Sequence, residues 1–224
     1  MKNAVLLCVL GLILTFPAHA RSAPDAEYLI GSDVTIELPS RPGEPLTVND
    51  SASEESFGEA LVVLDRLIVV GEKVWKIVEA GRPVASFATQ RTNVLPSGIT
   101  RWQELSGWQT PKSRRFERKI KNKYGADVVT FRYRIVYTYG GNVNGQGAYL
   151  MGVSVYPEII DVAWGWSFDA RASIPAVSNA GTREDPIAAA ELLISSRVKT
   201  TLTHLENSES YYLRGDGSFV DLQK

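Results

Sequence analysis

The stretch Val129-Thr130-Phe131-Arg132-Tyr133-Arg134-Ile135-Val136-Tyr137-Thr138-Tyr139 alternates with a period of two. Val129, Phe131, Tyr133, Ile135, Tyr137 and Tyr139 share one side, and Thr130, Arg132, Arg134 and Thr138 take the other. Side chains of a strand point alternately to its two faces, so the pattern predicts a strand with one aromatic core face and one polar face. Upstream, Lys123-Tyr124-Gly125 turns the chain back onto a strand over residues 114–122 that carries Phe116 and Ile120 on one side. Downstream, residues 140–147, with Asn144-Gly145 among them, close a hairpin onto a strand over 149–156.

Pro157-Glu158 then turns the chain into Ile160, Val162, Trp164, Trp166 and Phe168, alternating with Asp161, Ala163, Gly165, Ser167 and Asp169. Long neighbouring strands with short turns predict an antiparallel meander. Residues 173–186 read as a polar loop, and 191–205 as a strand with Leu192, Ile194, Val198 and Leu202 on one side. A last hairpin crosses Gly215-Asp216-Gly217.

The region before the meander has a different period. Ser51 with Glu54 fits a capping box, and Phe57, Ala60, Leu64, Leu67, Gly71, Val74 and Val78 follow at spacings of three and four. Gly81 and Pro83 supply a stop. The spacing predicts a helix over 54–80, with Val62, Val63, Val69 and Val70 widening its apolar surface. The expected class is therefore α+β: a mostly antiparallel β meander, as a curved sheet or sandwich, packed with one long N-terminal helix.

Ahead of both lie a basic start at Lys2, an apolar run over 5–16 and Ala18-His19-Ala20. This is the pattern of an export signal cleaved after Ala20, which predicts a periplasmic or secreted protein with no membrane span in the mature chain. Residues 21–50, with Pro24, Pro39, Pro42 and Pro45, read as an N-terminal arm around one strand at 34–38, and 51–224 as a single α+β domain. The 224 residues include 24 Lys plus Arg and 25 Asp plus Glu, and cleavage removes only Lys2 from that balance. Near-neutral charge gives no general field for nucleic acid.

The segments Val74-Trp75-Lys76-Ile77-Val78-Glu79, Gly107-Trp108-Gln109, Pro111-Lys112-Ser113, the run from Tyr133 to Gly141 and that from Tyr212 to Gly217 resemble a family of small exported bacterial proteins. The resemblance extends from about Leu64 onward. It implies export and a single domain, and assigns no functional residue.

Chemistry is sparse. The only cysteine, Cys8, and one of the two histidines, His19, leave with the signal. A mature chain with His204 alone has no thiol nucleophile, no disulfide and too few soft ligands for zinc or copper, so no metal and no cofactor is expected. His204 is in phase with Val198 and Leu202 and reads as a core or rim histidine. Asp161 and Asp169, on one strand face, would lie about 26 Å apart, beyond the separation of a glycosidase pair. A carboxylate site drawn from separate strands, in a hydrolase acting on a carbohydrate or peptide, is the alternative function.

The sharpest feature is basic: Lys112, Arg114, Arg115, Arg118, Lys119, Lys121 and Lys123, with Glu117 the one acid among them. On an exported protein such a strip suits an anionic envelope component or polysaccharide, and on an edge strand it blunts aggregation. Trp102, Trp108, Asn142 and Asn144 are the candidate aromatic and loop contacts to a glycan or protein partner. The function expected is a non-catalytic binding or structural module of the envelope or extracellular space.

Overall fold

A computed structural model describes residues 24–39, 63–64 and 67–223. The expected signal segment lies outside these residues. The described residues form eleven strands: β1 (Ile30–Leu38), β2 (Val63–Leu64), β3 (Leu67–Glu79), β4 (Arg82–Val94), β5 (Lys112–Asn122), β6 (Asp127–Val143), β7 (Gln146–Val162), β8 (Ser167–Asn179), β9 (Ala188–Lys199), β10 (His204–Arg214) and β11 (Phe219–Asp221). All belong to one sheet of order β1-β5-β6-β7-β4-β8-β9-β10-β11, with β3 on β4 and β2 on β3. The sheet curls into a half-barrel whose class is all-β, not α+β.

The predicted helix over 54–80 is the principal correction. Residues 54–62, 65 and 66 lie outside the described part, and Val63–Leu64 and Leu67–Glu79 are strand. In β3, Lys73, Trp75 and Ile77 are half-buried, whereas Val74, Lys76 and Val78 are exposed, a period of two that the three-and-four spacing of other residues masks. The segment is rich in β-branched side chains, which favour a pleated surface. Gly81 is a turn residue and not a helix stop: Ala80 and Gly81 have φ of +48° and +76° and join β3 to β4 as a two-residue hairpin.

The aromatic face of β6 is covered by the opposite wall of the same sheet. Phe131 meets Phe168 of β8 at 5.1 Å between ring centroids and Phe87 of β4 at 5.3 Å, and Phe116 of β5 meets Tyr211 of β10 at 4.7 Å. Tyr133, Ile135 and Tyr137 are fully buried in this stack. Rings at these separations contribute edge and offset contacts beyond their area, so the walls are pinned along a line of aromatics.

Turns break two runs that alternate without interruption in the sequence. Gly165, at φ +81°, turns β7 into β8, so Trp166 is buried while Trp164 is 81% exposed. Asp161 and Asp169 therefore lie on different strands, and the single-strand distance between them does not apply. Residues 200–203 likewise separate β9 from β10, which puts His204 out of phase with Val198: its ring is exposed and lies 3.1 Å from Glu206. The expected polar loop from 173 is the second half of β8, paired with β9 to Asn179.

One junction positions the site described below. β4 runs parallel to β8 from Ala85↔Phe168 to Thr89↔Ala172, then leaves it and pairs with β7 at Thr92↔Val153 and Val94↔Leu150. β8 bends away across Ile174-Pro175, where its register with β9 shifts. A wedge opens between the ends of β4 and β8.

Candidate functional site

The basic strip divides between the two faces of β5. Arg118, 2% exposed, points inward and donates Nε and Nη2 to the two oxygens of Asp33 on β1 at 2.8 and 2.5 Å, and Nη1 to Ser196 Oγ on β9. Asn207 of β10 also donates to Asp33, Thr35 of β1 donates to Glu209 of β10, and Tyr133 donates to Glu209 at 2.7 Å. A buried charge is tolerated only when paired and hydrogen-bonded, and here both conditions hold. Burial first, then the charge of Glu209, pushes the Tyr133 hydroxyl well above its ordinary range; burial and Glu209 raise Tyr211 in the same direction.

The other face forms an ion-pair lattice. Arg115 holds Glu158 of β7 with three hydrogen bonds of 2.8–3.1 Å, and Arg132 of β6 holds Glu117. The hydrogen bond from Arg132 is the main reason that Glu117 titrates below the usual carboxylate range. For Glu158, burial acts against ionisation, but the hydrogen bonds and charge of Arg115, with Arg134 and Arg132 nearby, outweigh it and lower the pKa. Lys119 lies 3.5 Å from Glu117 and Lys121 3.4 Å from Asp127. On the same face as Arg118, nearer the start of β5, Arg114 pairs with Glu37 at 2.7 Å and covers the Phe219 ring, and Lys112 donates to the Gly217 carbonyl at 2.8 Å. Of the seven cations, only Lys123 has no side-chain partner among the described residues. The strip's surface reading therefore rests on Lys123 and on the exposed ends of Lys119 and Lys121.

The four loop candidates also receive places. Trp108 lies against Gly141, where an added Cβ would sit 2.4 Å from the indole, and its Nε1 donates to the Trp102 carbonyl at 3.2 Å. Asn142 Oδ1 accepts from Gly145 N at 2.9 Å, and its backbone bridges to Ser106, so its work is structural. Asn144, at φ +52°, and Gly145 form the β6–β7 turn, shorter than the eight-residue loop expected. The structure brings Trp108 to the Trp102 carbonyl; Trp108 and Asn142 are half-buried, whereas Trp102 and Asn144 are exposed.

The wedge between β4 and β8 holds a groove of about 380 Å³, within the usual range for small-molecule sites. Val94, Leu95, Pro96, Tyr149, Val177 and Pro186 provide apolar lining, and Ser97, Ser178, Asn179, Thr182 and Arg183 supply polar groups. The loop over 180–187 is built around Asn179. Its Oδ1 accepts from Gly181 N and Ile187 N, both at 2.9 Å, and its Nδ2 donates to the Thr182 carbonyl at 2.8 Å. Asp185 accepts from Gly147 N at 2.8 Å, and an added Cβ on Gly181 would lie 2.4 Å from the Asp185 carbonyl oxygen. The loop thus presents Arg183 from a tight frame, and Arg183 has no ion-pair partner among the described residues. Among the described residues no Asp or Glu lines the groove. The sequence concealed this site because one of its walls, from Val177 to Pro186, read as part of a polar loop.

Comparison with protein families, with curated proteins and with solved structures finds no match for this chain. Among the described residues no helix is long and apolar enough to cross a membrane.

Proposed function

We propose that the chain is an exported, non-catalytic binding module whose ligand occupies the groove between β4 and β8. The observation that carries this reading is the groove itself: apolar lining, hydroxyl and amide groups beside it, and one cation without an ion-pair partner among the described residues on a clamped loop. That combination suits a small amphiphile with an apolar body and an anionic or hydroxylated end. The strip on β5 supports a different role, since six of its seven cations are already partnered within the chain. Anion recognition is better served by Arg183.

The test uses protein recovered from the exported fraction and the anionic amphiphile 1-anilinonaphthalene-8-sulfonate as probe. Its fluorescence should rise on binding. Val177→Trp, which fills the groove, and Ser97→Trp, at its exposed rim, should each abolish the rise. Arg183→Ala should weaken binding about fivefold, the scale of a solvent-exposed charge contact. Undiminished binding in both tryptophan variants overturns the groove, and a purified chain that still begins at Met1 overturns cleavage of the export signal.

A further inference from the structure

The outer edge of β3 carries a second feature. β4 pairs with β3 along its whole length, whereas β2 covers only Leu67 and Ile68 on the other side. From Val69 to Glu79 no strand among the described residues lies beside that edge. In an antiparallel ribbon alternate residues bond to the neighbour and the others turn their N–H and C=O outward, so β3 offers a row of open backbone groups. Such edges are ordinarily blunted by brevity, proline or bulges. β3 has thirteen residues and no proline, and from Gly71↔Arg91 to Ile77↔Ala85 its register with β4 runs without a shift. Trp75, 5.7 Å from the buried Phe87 ring between centroids, holds this stretch to the core.

The side chains along the stretch repeat in reverse order. Glu72, Val74, Lys76 and Val78 are exposed on one face, with Val74 at 54%. Lys76 has no ion-pair partner among the described residues, and Glu72 lies 3.9 Å from Arg171 of β8, both of them exposed. Turned end for end about Val74, the stretch Gly71–Ile77 lays Glu72 on Lys76, Lys73 on Trp75 and Val74 on itself. The centre of the unshifted register is thus also the centre of the charge pattern.

We propose that β3 is a homodimer interface, in which two copies of the chain pair their β3 edges antiparallel about a twofold axis at Val74 and join their sheets into one. Glu72 then stands opposite the partner's Lys76, Lys76 opposite the partner's Glu72, and Val74 opposite the partner's Val74. A twofold contact requires a self-complementary patch, and opposite charges in directly facing positions stabilise a strand pair, whereas like charges oppose it. The centre is specific. Moved to Lys73, it sets that residue against the partner's Lys73; moved to Trp75, it leaves both Glu72 and Lys76 facing valine. Any strand satisfies the backbone edge, and the charge order selects a second copy. β8 pairs with the edge of β4 that β3 does not use, so the groove between β4 and β8 stays open in the dimer.

The experiment is sedimentation velocity of the purified protein from about 1 to about 200 µM, a range suited to a small interface. Wild type should pass from monomer to dimer across it. Lys76→Glu opposes the partner's Glu72 at two symmetric places and should weaken association about tenfold, and Val74→Lys should abolish it. Glu72→Lys with Lys76→Glu restores opposite charges in the reversed sense and should recover wild-type association. Positions 72, 74 and 76 are exposed, so thermal midpoints and binding of 1-anilinonaphthalene-8-sulfonate should be unchanged, which separates this interface from the groove. A wild type that stays monomeric throughout, or a dimer indifferent to Lys76→Glu and Val74→Lys, overturns the proposal. Association as weak in the charge-exchanged double variant as in Lys76→Glu overturns it as well.

Discussion

Arg118 shows what a single residue in a basic strip can be. Its sequence neighbours Lys119 and Lys121 reach solvent, whereas its own guanidinium crosses the barrel interior to Asp33 and Ser196. Removing one partner of such a pair leaves an uncompensated buried charge, so Asp33→Asn should destabilise the fold by about 3 kcal/mol. Urea unfolding at neutral pH checks this, and a change under about 1 kcal/mol would show that Arg118 finds water or another acceptor. The inward direction of Arg118 was legible from its phase with Phe116 and Ile120. Its partner was not: Asp33 lies 85 residues away, and nothing local to either residue names the other.

The hairpin of β3 and β4 marks the limit of periodicity as a guide. Residues at spacings of three and four also include members of both faces of a strand, and in a segment as apolar as β3 both readings find enough matches. Pairing decided between them, since β4 supplies a complete antiparallel partner from Leu67↔Val94 to Glu79↔Arg82. The β6–β7 hairpin was readable because Asn144-Gly145 is the preferred sequence of a turn with two positive φ values. The β3–β4 turn was hidden because Ala80 occupies the first such position. Alanine at φ +48° is strained and asparagine tolerates that region, so Ala80→Asn should stabilise the protein by about 0.5–1 kcal/mol. A rise in the urea midpoint supports this hairpin. A fall would argue that residue 80 is not in a left-handed turn. The groove was illegible for the same kind of reason: it arises where β4 changes partner from β8 to β7, an event with no local signature.

Across the whole molecule, ionisable groups set the pH range of the fold from both sides. Glu117 and Glu158 have lowered folded-state pKa values, so their contribution is present above the unfolded carboxylate value of about 4.3. It is lost as pH falls through the folded values. The buried tyrosines act in the opposite sense. Burial, above all, pushes Tyr137 up to about 12 and raises Tyr133 and Tyr211, so the folded chain keeps phenol protons that the unfolded chain begins to lose near pH 10. The thermal midpoint should be flat between these limits, and Glu158→Gln should flatten its acid limb. An acid limb equally steep in that variant would exclude Glu158 as a contributor. The contact between β1 and β10 has a consequence in time. Among the described strands only β5 pairs with β1 through the backbone, and the tie from Thr35 to Glu209 spans 174 residues. Closing so long a loop early is entropically unfavourable, so β1 completes its contacts late. The first strand of the described chain is thus among the last to finish folding. Until it pairs with β5 its backbone groups are offered to whatever accompanies the nascent protein, and Val34 and Ile36 stay exposed in the finished fold as well.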